Sequence, residues 1–152
     1  MISQLLFEKL QFYCEYQERS ERDVRQKCRT LKIDKSDVDA YVEKLKAENF
    51  LNEKRFVSGF IYSKHTYKKW GAQKIKAGLA AKGISAAASK ELLTELAEDE
   101  VLENAITAAQ RKWKSIKGET LRDRKNKLIR FLIGRGFERD VIKTTVEKVA
   151  AD

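Results

Sequence analysis

The chain of 152 residues contains no proline, seven glycines, two cysteines and one histidine. Ala, Leu, Lys, Glu and Arg are abundant instead, and these residues favour helices over strands and turns. No apolar run approaches the roughly 20 residues that cross a bilayer, and the first residues begin an amphipathic segment rather than a charged leader. The sequence therefore predicts an all-α protein, which we expect to be cytoplasmic.

Residues that bind metals or form catalytic groups are few and do not cluster. Cys14 and Cys28 lack C-x-x-C or metal-ligand spacing, so we expect reduced thiols in a core, with a disulfide as the alternative. The helical period predicts that His65 lies at the polar edge of a helix, and we assign it no role. No zinc-protease, nucleophile-elbow or P-loop motif occurs. We expect no enzymatic activity, no cofactor and no metal site.

Acidic residues are missing from one long segment of the chain. Residues 54–90 carry nine basic side chains and no acidic one, residues 91–110 carry six acidic and no basic one, and residues 111–135 carry ten basic against two acidic. The net charge of +9 thus lies in two basic blocks on either side of an acidic segment. Charges that only maintain solubility are normally mixed in sign. The arrangement favours a polyanion, or a protein wrapped around one, as partner.

One apolar pattern occurs three times along the chain. The third copy lies fifty-three positions after the middle copy, and the first copy lies fifty-one positions before it. In the first copy, Lys32 replaces the glycine. The three sets are Val24, Cys28, Ile33, Val42 and Leu45; Ile75, Leu79, Gly83, Ile84, Leu93 and Leu96; and Leu128, Leu132, Gly136, Phe137, Val146 and Val149. A period of this length is typical of helical units that stack to bury their apolar faces.

Each copy of the pattern predicts a helix, a tight turn and a second helix, because its apolar residues are spaced by three, four and seven. Gly83 and Gly136 follow a helix end, where a left-handed residue closes the last turn. A third amphipathic segment precedes each pair, at residues 4–16, about 53–67 and about 100–114. The sequence thus predicts about nine helices in an elongated or curved array of three three-helix repeats. The predicted repeats are residues 1–52, 53–99 and 100–152.

Hydroxyl side chains and apolar stripes refine the predicted helices. N-caps are expected at Ser20, Ser36, Ser85 and Thr120, and all but Ser85 have an aspartate three residues on. Three stripes are expected to be buried. They are Phe7, Leu10 and Cys14; Phe56, Phe60, Ser63 and Tyr67; and Leu121, Leu128 and Leu132.

Basic side chains away from the stripes are the candidate binding residues. Arg122, Lys127 and Arg130 lie opposite the stripe of the helix from about 120 to 134. For some lysines of the helix 72–82 the alternative is that they only cover apolar surface. Trp70 and Trp113 either fill gaps between helices or stack on an exposed base or a partner side chain. The candidates are Lys64, Lys68, Lys69, Trp70, Lys74, Lys76, Lys82, Arg111, Lys112, Lys114, Arg122, Arg124, Lys127 and Arg130.

Four segments resemble the RecX family of regulatory proteins of bacterial recombination. They are QERSERDVRQKC (17–28), ENFLNEKRFVSGFIYSK (48–64), KKWGAQKIKAGLAAKGIS (68–85) and KNKLIRFLIGRGFERDVI (125–142). The resemblance implies a protein that lies along the groove of the RecA filament on single-stranded DNA. It also implies limits on filament growth, ATP hydrolysis and strand exchange in DNA repair and recombination. Apart from the resemblance, we expect a monomer and weak, sequence-tolerant direct binding to nucleic acid. Only Lys32, where the family often has glycine, departs from the pattern.

Two other functions fit the residues less well. A helix-turn-helix DNA-binding protein or transcriptional regulator shares the local motif, but its recognition helices would begin ISAAASK and FERDVIK, which offer poor base readers. A pure protein-binding scaffold would not need the basic blocks at all. Sequence-tolerant nucleic-acid binding that weakens steeply with salt would disfavour the transcriptional regulator.

Overall fold

A computed structural model describes residues 1–151, and this part of the chain holds nine α-helices, one 3₁₀ turn and no strand. The prediction of an all-α protein is confirmed. The helices are α1 (Gln4–Tyr16), α2 (Glu21–Thr30), α3 (Val38–Ala47), α4 (Glu53–Thr66), α5 (Ala72–Ala81), α6 (Ala86–Thr94), α7 (Glu98–Trp113), α8 (Leu121–Gly134) and α9 (Arg139–Val149), and the 3₁₀ turn is Lys35–Asp37.

The apolar side chains form three separate clusters rather than one core. Each cluster uses three successive helices, and we call these groups the first unit (α1 to α3), the second unit (α4 to α6) and the third unit (α7 to α9). Leu10, Leu79 and Leu132, one from each cluster, are completely buried. The chain is therefore a tandem array of three-helix units. The residue boundaries given above for the repeats stay a prediction.

The surface of the array is larger than that of a sphere-like protein. Its accessible area is 9898 Å², whereas a compact monomer of this mass exposes about 7900 Å². Three small cores leave more surface uncovered than one large core. The excess agrees with the open, tandem arrangement.

Most apolar positions of the repeated pattern are buried, and Leu93, Leu96 and Val149 are half-buried. Ile75, Leu79, Leu128 and Leu132 have no exposed surface. The turn after each second helix is left-handed in all three units, with φ of 82° at Gly83, 92° at Gly136 and 58° at Lys32. Lys32 holds this conformation at a cost of about 1–2 kcal/mol relative to glycine, so the missing glycine has not changed the turn.

Three of the four expected N-caps are confirmed. The Ser20 side chain accepts from the Asp23 amide and the Asp23 side chain accepts from the Ser20 amide, forming a capping box. Ser85 and Thr120 cap α6 and α8. The prediction for Ser36 is wrong, because its amide donates to the Asp34 side chain in the 3₁₀ turn and α3 begins two residues later.

The expected stripe of α1 is right, but that of α4 is wrong beyond Phe56: Phe60 and Ser63 are only half-buried, and the buried face of α4 runs through Val57, Ile61 and His65 instead. Phe7, Leu10 and Cys14 are buried as predicted. Tyr67 follows the last residue of α4 and is 71% exposed, because the chain leaves the helix axis there. Leu121 is 43% exposed, since it opens α8 in a turn whose residues 121–123 are all exposed.

The second and third units meet through their backbones. The amide of Gly71, before α5, donates to the Arg135 carbonyl at 2.8 Å, and the Gln73 amide donates to the Gly136 carbonyl at 2.9 Å. A Cβ on Gly71 would lie 2.4 Å from backbone atoms of Gly136 and Phe137. The chain therefore needs glycine at this crossing, and the crossing sets the walls of the site described next.

Candidate functional site

A cleft of about 410 Å³ opens between the second and third units. It is lined by Tyr67, Lys68, Lys69, Ala108, Arg111, Lys112, Ser115, Phe131 and Arg135. Five of these nine side chains are cationic and none is acidic, so the cleft brings the two basic blocks of the sequence together. Concentrated charge of one sign attracts counter-ions and polyanions. The cleft is our candidate functional site.

A left-handed residue after α4 places the lysines of the second unit at the cleft. The helix ends at Thr66, and Lys69 takes a φ of 54°. The Trp70 amide then donates back to the Lys64 carbonyl at 3.0 Å, which reverses the chain over the end of α4. Lys68 and Lys69 therefore sit on a short reversal, not on a helix, and line the cleft from one side.

Arg135 lies where the two units join, at the C-terminal end of α8. One of its terminal nitrogens donates to the Lys68 carbonyl, and its guanidinium lies 5.9 Å from the centre of the Phe131 ring. Its Nε is buried without a hydrogen-bond partner within the described part of the chain. A buried donor without an acceptor is costly, so this side chain is held in place by the Lys68 carbonyl and the Phe131 ring instead.

Arg135 is absent from the residues predicted as contacts. It lies at the position that Lys82 occupies in the second unit, which the fifty-three-residue repeat shows. The repeat was therefore the signal that could have found it. The aromatic rings of Tyr67 and Phe131 in the cleft were also missed as site residues, and Tyr67 was assigned to a buried stripe instead.

A polar chain runs from the cleft into the interface between the units. The Lys69 ammonium lies 3.5 Å from Asn104 Oδ1. The Asn104 amide nitrogen donates to the His65 carbonyl at 2.9 Å and lies 3.3 Å from His65 Nδ1. His65 is only 8% exposed, so its expected position at a polar edge is wrong. The third unit covers the side of α4 that the helix period alone leaves open.

The structure brings four predicted contact residues into the cleft. Lys68 and Lys69 come from the second unit, and Arg111 and Lys112 from the end of α7. Lys68, Arg111 and Lys112 are exposed, and the Lys112 ammonium lies 5.4 Å from the centre of the Phe131 ring. These three charges are available to a ligand.

Other predicted contact residues hold the protein's own structure. Arg124 stacks over Trp113 at 4.0 Å and donates to the Ile116 carbonyl. Lys127 donates to the Lys117 carbonyl at 2.6 Å. Both side chains therefore secure the loop between α7 and α8, although Lys127 is also exposed.

The aromatic of the second basic segment is held between two lysines. The ammonium groups of Lys64 and Lys74 lie 4.8 Å and 4.5 Å from the Trp70 ring centre. Trp70 is half-buried and packs against the second core. Trp70 therefore fills a gap between helices, which is one of its two predicted roles. The ammonium groups of Lys64 and Lys74 already lie over its ring.

The remaining predicted residues lie away from the cleft. Lys82 forms an ion pair with Asp23 of the first unit at 2.7 Å. Lys76 lines a different groove. The others, Lys114, Arg122 and Arg130, are exposed on the third unit. The predicted list is thus spread over several surfaces, and whether its members touch a ligand stays a prediction.

The cysteine, histidine and acidic side chains of residues 1–151 do not form a reactive or metal-binding group. Cys14 and Cys28 are buried and unpaired, and burial raises the pKa of Cys14 to about 11, so its reactive thiolate is scarce. Residues 1–151 contain no group of acidic, Cys and His side chains placed to hold a metal ion. None of their helices is both long and apolar enough to cross a membrane. The arrangement is suited to binding anions.

Fold and cleft together define a class: a helical repeat protein with a cation-lined cleft between two of its units. Family models described as the second and third three-helix domains of RecX match residues 52–93 and 98–146. Together these ranges cover more than half of the chain. The chain belongs to the RecX family.

Individual relatives agree with the family models. The chain is 33% identical over 135 residues to the regulatory protein RecX of Clostridium beijerinckii, covering 88% of this chain and 62% of that one. It is 25% identical over 137 residues to the RecX of Bacillus mycoides, covering 90% of this chain and 51% of that one. The chain thus spans about half to three fifths of the length of these relatives.

Solved structures share the fold. The crystal structure of RecX from Lactobacillus salivarius superposes with a TM-score of 0.78 at 22% identity, covering 96% of this chain and 95% of that one. A second RecX crystal structure gives a TM-score of 0.83 at 20% identity, covering 96% and 71%. At these identities the likeness concerns the helical architecture.

Proposed function

We propose that this chain binds the RecA recombinase filament on single-stranded DNA and inhibits its ATPase, filament growth and strand exchange. Membership of the RecX family supports the proposal, because the relatives are named regulatory proteins. The observation that carries it is the cleft, which gathers cationic side chains from two units at one place. A tandem array that contacts several protomers of a polymer gains affinity from multivalency.

The proposed action is steric and electrostatic, without catalysis, cofactor or metal. Lys68, Arg111 and Lys112 are exposed and would meet the anionic surface, while the partly buried Lys69 and Arg135 form the wall behind them. Direct binding to nucleic acid alone would be weak and tolerant of sequence. A partner assembled on DNA also places the protein in the cytoplasm of a bacterial cell.

The test is a titration of RecA ATPase on single-stranded DNA with two charge-reversed variants. The cleft variant carries Lys68→Glu, Lys69→Glu and Arg111→Glu. The control carries Lys35→Glu, Lys143→Glu and Lys148→Glu, which change net charge equally on exposed positions outside the basic blocks. We expect the cleft variant to need at least tenfold more protein for half-inhibition, and the control to change it less than threefold. Equal inhibition by wild type and cleft variant would contradict the proposal for this cleft.

Binding to a labelled single strand in a salt series separates nucleic-acid contact from protein contact. Each lost phosphate contact lowers the slope of log K against log salt by about 0.7, so three lost contacts lower it by about 2. If ATPase inhibition falls while this slope is unchanged, the cleft contacts RecA protein rather than DNA. Tight binding to one duplex sequence only would favour a transcriptional regulator instead.

A further inference from the structure

A second groove, larger than the cleft, lies elsewhere between the second and third units. Its volume is about 870 Å³, within the range of ligand-binding pockets. Apolar side chains from both units line it: Leu93, Leu96, Val101, Leu102, Phe137 and Val141. Most of them are only half-buried. The groove therefore offers apolar surface that its own chain does not cover.

The two rims of this groove carry opposite charges. Lys76 and Lys90 line it on the side of the second unit, and Glu98, Glu138 and Asp140 line it on the side of the third unit. All five side chains are exposed, and none forms an ion pair within residues 1–151. An occupant that matched the groove would be apolar in the middle, acidic along one edge and basic along the other.

The first unit carries a surface of this description. The outer face of α1 exposes Leu5, Phe12 and Tyr16 by 64%, 71% and 75%. Their spacing of seven and four aligns them on one stripe. The opposite face of α1 is buried in the first core. A contiguous apolar patch on an exposed helix marks an interaction surface.

Charges flank the α1 stripe with opposite signs. At 3.6 residues per turn, Glu8 and Glu15 fall on one side of Leu5, Phe12 and Tyr16, and Lys9 falls on the other. Arg19 and Lys27 lie by the same apolar surface. The acidic edge of α1 thus corresponds to the basic rim of the groove, and its basic edge to the acidic rim.

We propose that α1 of a second copy of this chain docks in the groove between the second and third units. Glu8 and Glu15 of one copy would face Lys76 and Lys90 of the other, with the apolar stripe between the rims. Because α1 and the groove are different surfaces, the contact is heterologous and leaves a free α1 and a free groove at the ends. Copies can then add head to tail in an open chain. The proposal does not depend on the RecA proposal.

Sedimentation velocity over a concentration series tests the association. We expect a monomer at about 1 µM and a weight-average sedimentation coefficient that rises toward about 1 mM, the range for interfaces of small area. The rise should shrink with added salt, since the rims contribute charge pairs at the surface. A single monomer species at every concentration and salt would overturn the proposal, including the case in which the groove serves another partner.

Complementary charge reversals identify the surfaces. One variant carries Glu8→Lys and Glu15→Lys, and the other carries Lys76→Glu and Lys90→Glu. Each alone should remain monomeric to at least tenfold higher concentration, because like charges then face each other. An equimolar mixture should associate again, because each reversed surface has its complement on the other variant. Failure of the mixture to associate, when both variants keep the wild-type circular dichroism, would overturn the pairing.

Two further variants separate charge from apolar contact. Glu119→Lys with Glu147→Lys changes net charge as much as the α1 variant, at exposed positions that line neither surface. It should associate like the wild type. Phe12→Ser removes the central ring of the stripe, which is 71% exposed and outside the first core, so the fold should persist. We expect at least a tenfold loss of association, and unchanged association would overturn the role of α1.

Discussion

The two junctions of the array are built from different parts of the chain. Where the second unit meets the third, amides of Gly71 and Gln73 donate to carbonyls of the turn after α8. Where the first unit meets the second, long side chains make the contacts: Arg22 donates to the Ala81 carbonyl at 2.7 Å, and Lys82 pairs with Asp23. The backbone contact between the second and third units leaves no space for an added Cβ on Gly71. The side-chain contacts between the first and second units can rearrange by rotation of a side chain.

The difference begins with how two equivalent helices are capped. The N-terminus of α2 is capped within its own unit by Ser20. The equivalent N-cap of α5 is Gly71, which has no side chain to offer. Free amides at a helix start need acceptors, and the third unit supplies them through the Arg135 and Gly136 carbonyls. In α5 the missing side-chain cap is thus replaced by backbone acceptors of the neighbouring unit.

The largest effect we expect is from Gly136→Ala compared with Gly83→Ala. Both glycines have positive φ, which costs an alanine about 1–2 kcal/mol. A Cβ on Gly136 would in addition lie 2.3 Å from the Lys74 amide, whereas one on Gly83 would meet only the Arg22 side chain at 3.4 Å. Urea unfolding should show a loss of about 1–2 kcal/mol for Gly83→Ala and more than about 4 kcal/mol for Gly136→Ala.

Equal losses at the two glycines would contradict the difference between the junctions. Gly71→Ala sharpens the comparison, because Gly71 has an ordinary φ of −78°. Its Cβ would still lie 2.4 Å from the backbone of the third unit. A loss at this position therefore measures the close approach without the effect of a left-handed residue.

A smaller effect is expected from Asn104→Ala, which removes one side-chain contact of the junction between the second and third units. The His65 carbonyl and Lys69 then lose their partner in a partly buried site. We expect the free energy of unfolding to fall by about 1–3 kcal/mol. Gln110→Ala, at an exposed position of the same helix, is the control and should change it by less than about 0.5 kcal/mol. A loss at Gln110 as large as at Asn104 would assign the effect to the helix.

A still smaller effect is expected from Lys82→Ala, which removes the ion pair with Asp23 at the junction between the first and second units. Lys82 is partly exposed, so the loss should be under about 1 kcal/mol and should decrease with salt. Asp23→Ala should cost more, because it also removes half of the Ser20 capping box. A double-mutant cycle in urea isolates the pair. A coupling above about 2 kcal/mol would contradict the expectation that this partly exposed ion pair contributes little to the junction.

The smallest effect we expect is the loosening of the junction between the first and second units when acid protonates Asp23. Burial alone would raise the pKa of Asp23, but hydrogen bonds from Lys82 and Ser20 outweigh it and hold the pKa below its ordinary value. A depressed carboxyl pKa contributes stability above the unfolded value of about 3.9, and that contribution is lost as the pH falls through the folded pKa.

Distance measurements between labels on the first and second units would follow this loss. We expect the distance distribution to broaden as the pH falls below about 4, and labels on the second and third units to respond less. Asp23→Asn, which retains a side-chain acceptor for the Ser20 amide, is the control. It should show the broad distribution already at neutral pH, and an unchanged acid response in this variant would exclude Asp23 as the cause.

Much of the fold was predictable because helix period and capping are local. The spacing of Ile75 and Leu79, repeated at Leu128 and Leu132, identified residues that are completely buried. Ser20, Ser85 and Thr120 cap as predicted because each acts on amides two or three residues away. Errors occurred where another residue competed, as at Ser36, where the helix ended, as at Tyr67, and where a neighbouring unit covered the helix, as at His65.

Less of the candidate site was predictable, because the number of charges in a segment does not tell whether a side chain faces a ligand or bonds to its own chain. Four candidates from the two basic blocks, Lys68, Lys69, Arg111 and Lys112, line the cleft, and whether they contact a ligand stays a prediction. The basic blocks could not separate these from Arg124, which holds its own loop. That distinction depends on which atoms lie nearby in three dimensions.

By itself the sequence determined the approximate number of helices, most of the repeated buried positions, the left-handed turns at Gly83 and Gly136 and the total excess of positive charge. These depend on spacing and on steric preferences within a few residues. The tertiary structure decided that Arg135 meets Lys68, that His65 is covered and that the third unit caps α5. Such contacts join residues that are 39 to 67 positions apart in the chain, and only the way the units pack brings their atoms within bonding distance.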